Sequence, residues 1–236
     1  MKNRRIKYGF VVVSFALVCF SIQESASAQT PDKYFNWGFR AGLNTLSTTS
    51  YETEYDGEPV PNDSYINKNG YLVNAFVRFN IKQSFLQPEL AWNYYRQGVS
   101  FTLPVPNSEN EFSSPIYADI ASSVIRGNFL VGYNIVNNYP FLFSAYLGSS
   151  FSAKYNTKYS IRLSDDFEDK EFYLRSSGIA GFSIVIAKIY FDLRYEINLP
   201  DTDLDFYDIS GFPDNYKGLK LKKNENIISF SCGLLF

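Results

Sequence analysis

The sequence predicts an all-β fold, an eight-stranded antiparallel up-and-down transmembrane β-barrel that follows a cleaved N-terminal signal peptide. Apolar and polar residues alternate through eight segments of the chain, which is the period of a strand with two different faces. The connections between these segments are alternately short and long, so that all the long ones leave the sheet at one end. Aromatic residues make up 18% of the chain, a proportion that suits the aromatic girdles of a membrane barrel.

The first 28 residues have the pattern of a secretory signal peptide. Four basic residues fall within the first seven positions, an apolar run covers residues 10–20, and Ala26-Ser27-Ala28 provides a small-x-small cleavage site. The apolar run is shorter than the about 20 residues that a membrane-spanning helix needs. We expect cleavage before Gln29, which leaves residues 29–236 as a single outer-membrane β-barrel domain. Cys19 lies in the leader, but the bulky Val18 before it disfavours a lipoprotein.

Removal of residues 1–28 makes the chain more acidic. The segment carries four basic residues and one acidic residue, so the formal charge changes from −2 to about −5. A nucleic-acid partner is disfavoured because phosphate contacts need clustered basic residues. Cys232 is the one cysteine left, so the mature chain has no intramolecular disulfide.

The first four predicted strands each have an apolar face. Its residues are Phe35, Trp37, Phe39, Ala41 and Leu43 in the first strand, Tyr71, Val73, Ala75, Val77, Phe79 and Ile81 in the second, Leu86, Pro88, Leu90, Trp92 and Tyr94 in the third, and Ile125, Phe129, Val131 and Tyr133 in the fourth, which ends near Ile135. The residues between them are mainly small or polar. Near Ser122-Ser123 the apolar residues change from one face of the fourth strand to the other, which predicts a β-bulge at this point.

The last four strands repeat the pattern. Their apolar residues are Phe141, Phe143, Ala145, Leu147 and Phe151 in the fifth strand, Phe182, Ile184 and Ile186 in the sixth, Ile189, Phe191, Leu193, Tyr195 and Ile197 in the seventh, and Ile228, Phe230, Cys232, Leu234 and Phe236 in the eighth. The seventh strand shows the cleanest alternation, with Asp192, Arg194 and Glu196 on its other face.

A water-soluble β-sandwich also alternates, and the connections decide between the two folds. They are short near Lys82-Gln83, Asn137-Asn138 and Ala187-Lys188, whereas the other four are long, polar and acidic. Strands of roughly ten residues cross a bilayer at a tilt, and a closed barrel leaves no unpaired backbone edge in lipid. We therefore expect an integral, multi-pass protein of the outer membrane.

Four short motifs resemble the PorT-like outer-membrane β-barrel family of the Bacteroidota. They are Phe39-Arg40-Ala41-Gly42-Leu43-Asn44 in the first strand, Gln87-Pro88-Glu89-Leu90 in the third, Arg96-Gln97-Gly98 at its exit, and Asp192-Leu193-Arg194-Tyr195 in the seventh. The sequence departs from the family in the fourth strand, where Tyr117-Ala118-Asp119-Ile120-Ala121 replaces a frequent Tyr-Leu-Glu-Ile-Pro. The resemblance implies an outer-membrane barrel, in a family whose founding member serves a protein-secretion system.

Seven charged residues belong to the inward face of the predicted barrel. They are Arg40, Arg78, Glu89, Arg126, Asp192, Arg194 and Glu196. The interior of an eight-stranded barrel is just wide enough for side chains to fill it, and buried charges need partners. We expect a structural network of ion pairs and hydrogen bonds, with Glu89 and Arg194 as one pair, and no substantial pore. The alternative is a proton or ion path through the same groups.

The chain contains no histidine, the side chain whose pKa suits proton transfer near neutrality. Ser-His-Asp arrangements and imidazole metal ligands are therefore excluded. The run Asp201-Thr202-Asp203-Leu204-Asp205 has the alternating carboxylates of a calcium loop, but Phe206 and Phe212 replace the Gly and the closing Glu that such a loop needs. We expect no catalytic site, no cofactor and no metal site.

The first long connection is also acidic. It carries Glu52, Glu54, Asp56, Glu58 and Asp63. Such a run is by default a solvated face. Divalent-ion bridging to lipopolysaccharide phosphates is the alternative.

The sequence favours a non-enzymatic protein with a structural or interaction role in the cell envelope. A rigid barrel would hold four long loops outside the cell, where the aromatic residues of Tyr155 to Tyr159 and Phe206-Tyr207 would contact a partner. The expected partners are outer-membrane lipid, lipopolysaccharide and an envelope protein, such as a component of a secretion or uptake complex. The alternatives are a barrel that binds a small molecule or lipid, which needs an apolar interior, and a barrel enzyme that acts on outer-membrane lipid.

Overall fold

The computed structural model describes residues 34–55, 57–59, 64–102, 114–161, 166–169, 173–199, 202–205 and 219–236. Eight long strands follow one another: β1 Phe35–Tyr55, β2 Ser64–Ile81, β3 Ser84–Phe101, β4 Ile116–Asn138, β5 Phe141–Ile161, β6 Tyr173–Ile186, β7 Ile189–Asn198 and β8 Leu219–Leu235. Three short strands, Glu58–Pro59, Asp166–Asp169 and Thr202–Asp205, pair with β1, β5 and β8. The predicted signal peptide, residues 1–28, lies outside the described residues, as do Asp56, Asp63, Asp201, Phe206-Tyr207 and Phe212.

Each long strand pairs antiparallel with its neighbours in sequence, and β8 pairs with β1 to close the ring. At the end of this seam the Trp37 amide donates to the Phe236 carbonyl over 3.1 Å, and the Phe236 amide donates to the Trp37 carbonyl over 2.8 Å. Closure leaves no sheet edge exposed to lipid. The predicted fold class, an eight-stranded antiparallel up-and-down barrel, is confirmed. No helix in the described part of the chain is long and apolar enough to cross a membrane.

Side chains point alternately into the barrel and out of it, as the two-residue period of a strand requires. In β7 the inward Arg194 and Glu196 are buried, whereas the outward Leu193 and Ile197 are about half exposed. Outward apolar residues form a band that runs on β1 from Phe35 to Leu43. About nine residues is the length that a tilted strand needs to cross the hydrocarbon core of a bilayer.

The strands continue beyond this band at the end that carries the long connections. We call this part the polar extension; it comprises residues 45–55, 64–69, 96–101, 116–123, 153–161 and 219–226. Its longest strand is the end of β1, where Ser50 lies opposite Asn224 and Tyr55 opposite Leu219. Most strands are longer than predicted because the alternation of apolar and polar residues stops where the outer face leaves the membrane, while backbone pairing continues.

The structure corrects the predicted bulge in the fourth strand. The pairing between β4 and β5 does shift at this level, where Ser123 lies opposite Asn156 and Val124 opposite Lys154. The extra residue is Tyr155 of β5, because β4 pairs with β3 without interruption over the same stretch. The bulge therefore changes which residues of β5 point into the barrel and leaves those of β4 unchanged.

Two of the three short turns lie where the sequence predicted them. Lys82 and Ala187 begin these turns in the left-handed region, with φ of 56° and 57°. The remaining turn lies at Tyr139-Pro140 and not at Asn137-Asn138, since β4 runs to Asn138. The register of β4 and β5 shifts between Asn134 and Val136, because the residue between them, Ile135, has no partner on β5. This one extra residue lengthens β4.

Inward glycines allow β1 and β8 to approach each other at the closing seam. A β-carbon on Gly42 would lie 2.1 Å from the Phe230 carbonyl oxygen, and one on Gly233 would lie 2.0 Å from the Phe39 carbonyl oxygen. The obstructing atoms belong to the backbone, so a side chain at either position requires the strands to move apart.

Gly233→Ala is therefore expected to weaken the closing seam, lowering the free energy of unfolding by about 1–3 kcal/mol, the usual cost of overpacking. Gly127→Ala is the matched control, since nothing lies within 4 Å of a β-carbon at that position. Urea unfolding, followed by the loss of the compact band on a gel of unboiled samples, compares the two variants. Equal unfolding midpoints would contradict the close approach at Gly233.

Candidate functional site

The structure places the seven charged residues expected in the lumen inside the barrel, and we call them the luminal network. They come from five strands: Arg40 from β1, Arg78 from β2, Glu89 from β3, Arg126 from β4, and Asp192, Arg194 and Glu196 from β7. None is more than 6% exposed. The strands β5, β6 and β8 contribute small inward residues such as Ser150, Ser177 and Ser231, which leave space for the long arginine side chains.

Glu89 lies at the centre of the luminal network. Its carboxylate accepts hydrogen bonds from Arg40 Nη2 at 2.9 and 3.0 Å, and from Arg194 Nη1 and Nη2 at 2.9 and 3.2 Å. Glu89 and Arg194, the pair expected from the sequence, are thus in direct contact. Three amides also donate to this carboxylate, at 3.1, 2.9 and 2.7 Å: those of Asn74, Asn128 and Gln87. One side chain therefore connects β1, β2, β3, β4 and β7.

Asp192 is the second acceptor for the same two arginines. Its carboxylate lies 3.1 Å from Arg40 Nη1 and 3.6 Å from Arg194 Nε. The hydroxyls of Tyr146 and Tyr190 donate to it at 2.5 and 3.4 Å. Two arginines and two carboxylates thus form a charge-balanced group in the middle of the lumen.

Arg126 and Glu196 form a separate ion pair nearer to the long connections. Arg126 Nη1 donates to Glu196 Oε2, and both side chains are 5% exposed. The Arg126 guanidinium also lies 5.4 Å from the centre of the Tyr95 ring, within the range of a cation–π contact.

Arg78 lies at the opposite end of the network, near the short turns. Among the described residues it has no carboxylate within ion-pair distance. Its Nε donates to Gln87 Oε1 at 2.6 Å and its Nη2 to the Tyr190 hydroxyl at 3.3 Å. The guanidinium lies 4.0 Å from the centre of the Phe85 ring, and Nη1 has no hydrogen-bond partner in the part of the chain that the structure describes.

The large aromatic side chains of the lumen were not predicted from the sequence. Phe76, Phe85, Tyr146 and Tyr190 are buried, and they lie directly opposite Gly38, Gly132, Gly181 and Gly233, respectively. A β-carbon on Gly132 would lie 2.1 Å from the Phe85 ring, and one on Gly181 would lie 2.4 Å from the Tyr146 hydroxyl. Glycines at inward positions are the sequence signal for these residues, because small barrels often alternate small and large inward side chains.

Apolar clusters lie on both sides of the charges. Toward the long connections the cluster is Leu46, Tyr95, Val124 and Ile227, and toward the short turns it is Phe76, Val185, Tyr190 and Leu235. The lumen lined by described residues contains three small cavities. The one toward the long connections is about 50 Å³, the one among the charges about 10 Å³, and the one toward the short turns about 40 Å³. Cavities of this size hold at most a few waters, in contrast to the aqueous channel of a porin.

The carboxylates of the lumen are occupied by arginines, amides and phenols of the chain itself. Within the described residues, no group of three or more Cys, Asp or Glu side chains is placed to hold a metal ion. The arrangement stabilises the barrel and joins distant strands.

The sequence of the chain matches a known protein family. A family model described as the outer membrane protein beta-barrel domain matches residues 23–204. The chain belongs to this outer-membrane β-barrel family. It is an integral protein of the outer membrane, as the sequence predicted. No curated protein sequence matches the chain.

Solved structures of outer-membrane proteins resemble this chain to different degrees. OprG from Pseudomonas aeruginosa superposes with a TM-score of 0.52 at 13% identity, covering 86% of this chain and 97% of OprG. Neisserial surface protein A gives a TM-score of 0.43 at 14% identity, covering 86% and 96% of the two chains. Ail of Yersinia pestis gives 0.38 at 12% identity, covering 86% and 100%. At 13% identity the likeness to OprG concerns the fold alone.

The Arg126–Glu196 pair of this family member allows a test of the luminal energetics. Glu196→Leu leaves a buried arginine without its carboxylate and is expected to lower the free energy of unfolding by about 3–5 kcal/mol. Arg126→Met/Glu196→Leu removes both charges and is expected to cost much less, because neither charge remains buried alone. Urea unfolding of the barrel in lipid vesicles measures both variants.

The control for this comparison is an ion pair on the outer surface. Lys68 pairs with Asp119, and the two side chains are 29% and 43% exposed. Lys68→Met is expected to cost at most about 1 kcal/mol, since solvent screens the pair. A double variant as unstable as Glu196→Leu would contradict the assignment of Arg126 and Glu196 as partners.

Proposed function

We propose that this outer-membrane barrel is a non-enzymatic envelope protein with a structural or interaction role, which presents its polar extension to a partner outside the membrane. The strongest support for this role is the polar extension, which continues the barrel beyond the apolar band while the lumen within the band is filled by side chains. On β1 it runs from Thr45 to Tyr55, or roughly 25–30 Å at about 3.3 Å per residue and a tilt of about 40°. A conducting protein needs an open lumen, whereas a binding protein needs a rigid surface outside the membrane.

The outer surface of the extension carries a patch that suits protein contact. We call it the β2–β4 patch; it consists of Ile66, Lys68, Arg96, Tyr117 and Asp119. Ile66 is 51% exposed and Tyr117 is 45% exposed, beyond the band that lipid covers. Lys68 reaches over Gly98 to pair with Asp119. Exposed apolar residues beside charged ones are typical of a protein-contact surface.

Lipopolysaccharide is the second candidate partner. Lys68 lies directly opposite Arg96 on the neighbouring strand. The two basic residues are just beyond a group of aromatic residues at the edge of the apolar band: Tyr71, Trp92 and Tyr94. Like charges in directly opposed positions are unfavourable by themselves; Asp119 pairs with Lys68, and lipid phosphates at this level would provide a counter-charge for Arg96.

The alternative functions have less support. A small-molecule site usually requires several hundred Å³, and the luminal cavities lined by described residues are about 50 Å³ or smaller. An enzyme that acts near neutral pH would have to use a general base other than histidine, which the chain lacks. The most buried carboxylates, Glu89 and Asp192, are held by arginines.

The PorT-like resemblance narrows the proposal. The motif Phe39-Arg40-Ala41-Gly42-Leu43-Asn44 and its three companions favour a PorT-like member of the family from the Bacteroidota. The founding member of that family serves a protein-secretion system, so we propose a component of a secretion complex as the partner, with an uptake complex as the alternative.

Affinity purification of the tagged protein from native outer membranes in mild detergent tests the proposal. Mass spectrometry identifies bound proteins, and a phosphate assay measures bound lipopolysaccharide. Ile66→Asp/Tyr117→Asp is expected to lose a stoichiometric protein partner that the wild type retains. Tyr139→Asp is the control, because it changes an exposed aromatic residue at the opposite end of the barrel. Lys68→Glu/Arg96→Glu is expected to reduce the bound lipopolysaccharide.

The outcomes separate the two kinds of partner. A protein lost only with the Ile66 and Tyr117 substitutions supports the interaction role. Lipopolysaccharide as the only companion, reduced only by the Lys68 and Arg96 substitutions, supports a structural role in the membrane surface. Capture of neither partner, or equal capture by every variant, would contradict the role assigned to the β2–β4 patch.

A further inference from the structure

The outer wall of the barrel carries a groove of about 790 Å³ within the apolar band. Two outward residues of the groove are small: Ala145 on β5 and Ala180 on β6. The residues directly opposite them on the neighbouring strands are large, namely Tyr133, Phe182, Leu147 and Tyr195. The two alanines therefore form the floor of a depression whose volume lies in the range of about 300–1,000 Å³ that ligand sites have.

The groove runs obliquely from the short-turn edge of the band into the hydrocarbon region. One row of its residues occupies directly opposed positions on β3 to β7: Ser84, Tyr133, Ala145, Phe182 and Leu193. Ser84 is the first residue of β3, whereas Leu193 is the fifth residue of β7, so the row rises away from the turns. Four spacings of about 4.8 Å between strands make it roughly 19 Å long. A groove of this length at an oblique angle covers about half of the about 30 Å hydrocarbon core, which is the depth that the acyl chains of one leaflet fill.

The two ends of the groove differ in polarity. At the short-turn end, Gln83 and Ser84 are exposed, and Ser84 belongs to the outer face because it lies opposite the outward Tyr133. At the other end the wall is apolar at Leu193 and Ile228. A molecule with a polar head toward the turns and an apolar chain toward the middle of the membrane matches this arrangement.

Positive charge lies beside the polar end of the groove. Lys82 is exposed and comes two residues before Ser84 in the same turn. The three short turns contain Lys82 and Lys188 and no acidic side chain. Short turns of outer-membrane barrels face the periplasm, where the leaflet consists of phospholipids. Lysine near a lipid surface attracts anionic head groups, so this end of the groove favours a phosphate with a net negative charge.

We propose that the groove binds one anionic glycerophospholipid of the periplasmic leaflet. An acyl chain lies across Ala145 and Ala180, and the phosphate lies beside Lys82 and Ser84. Within hydrocarbon the chain gains close packing rather than burial from water, so the head-group contact selects the lipid class. The site lies on another part of the outer wall than the β2–β4 patch and does not depend on the proposed function.

Native mass spectrometry of the purified full chain tests the site, with dioleoylphosphatidylglycerol or dioleoylphosphatidylcholine added to the detergent micelles. The wild type is expected to retain one phosphatidylglycerol per barrel, at concentrations at which phosphatidylcholine is lost. Ala180→Phe fills the groove from an outward position and is expected to lose the bound lipid. Ala75→Phe is the matched control, because it adds the same ring at an exposed outward position of β2, outside the groove; it is expected to keep the lipid.

Lys82→Gln tests the head-group contact separately. It is expected to weaken the binding of phosphatidylglycerol about fivefold, whereas Lys188→Gln, at a short turn that does not line the groove, is expected to leave it unchanged. Equal retention by the wild type and Ala180→Phe, or no stoichiometric lipid on the wild type, would overturn the proposal. Equal retention of the two lipids, or an unchanged affinity in Lys82→Gln, would also overturn it. A second barrel bound in place of the lipid would assign the groove to a dimer instead.

Discussion

The narrow interior of an eight-stranded barrel constrains every inward residue of this protein. Such an interior has space for side chains but not for a column of water, so a large side chain on one strand requires a small one opposite. Phe85 lies opposite Gly132, and Tyr146 lies opposite Gly181. At the closing seam Gly233 permits the close approach of β1 and β8 on which closure depends. Closure in turn leaves no sheet edge with unpaired backbone N–H and C=O groups, for which lipid offers no hydrogen-bond partners.

The same lack of space explains how the charges are organised. An unpaired charge is costly in a dry interior, and here two arginines and three amides from five strands meet at the carboxylate of Glu89. Removing one partner leaves the others buried without compensation, so the network holds distant parts of the chain in one arrangement. Arg78 is the exception, since Gln87, Tyr190 and the Phe85 ring hold its guanidinium and no carboxylate among the described residues lies within ion-pair distance. A lumen filled in this way leaves the outer surface and the polar extension as the places where partners can bind.

Alternation along the strands predicted most of the fold, because the direction of a side chain in a strand depends only on its place in the two-residue period. It also assigned the charged residues, Glu89 and Arg194 among them, to the interior. Strand ends were harder, since the apolar pattern on β1 stops after Leu43 while backbone pairing continues to Tyr55. The sequence placed the bulge on β4 because the apolar Ala118 and Ile120 point inward, which mimics a change of face, whereas the extra residue is Tyr155 of β5. The isolation of Arg78 depends on which side chains meet across the lumen, and alternation along one strand carries no information about that.

The most direct test of a filled lumen is single-channel recording of the purified wild-type protein in planar bilayers. Because the luminal network and its flanking apolar clusters fill the lumen, we expect recordings without the stable conductance steps of a porin. Steady, ohmic, porin-like conductance would contradict this account, because it requires a continuous aqueous path through the space that Arg40, Glu89 and Arg194 occupy.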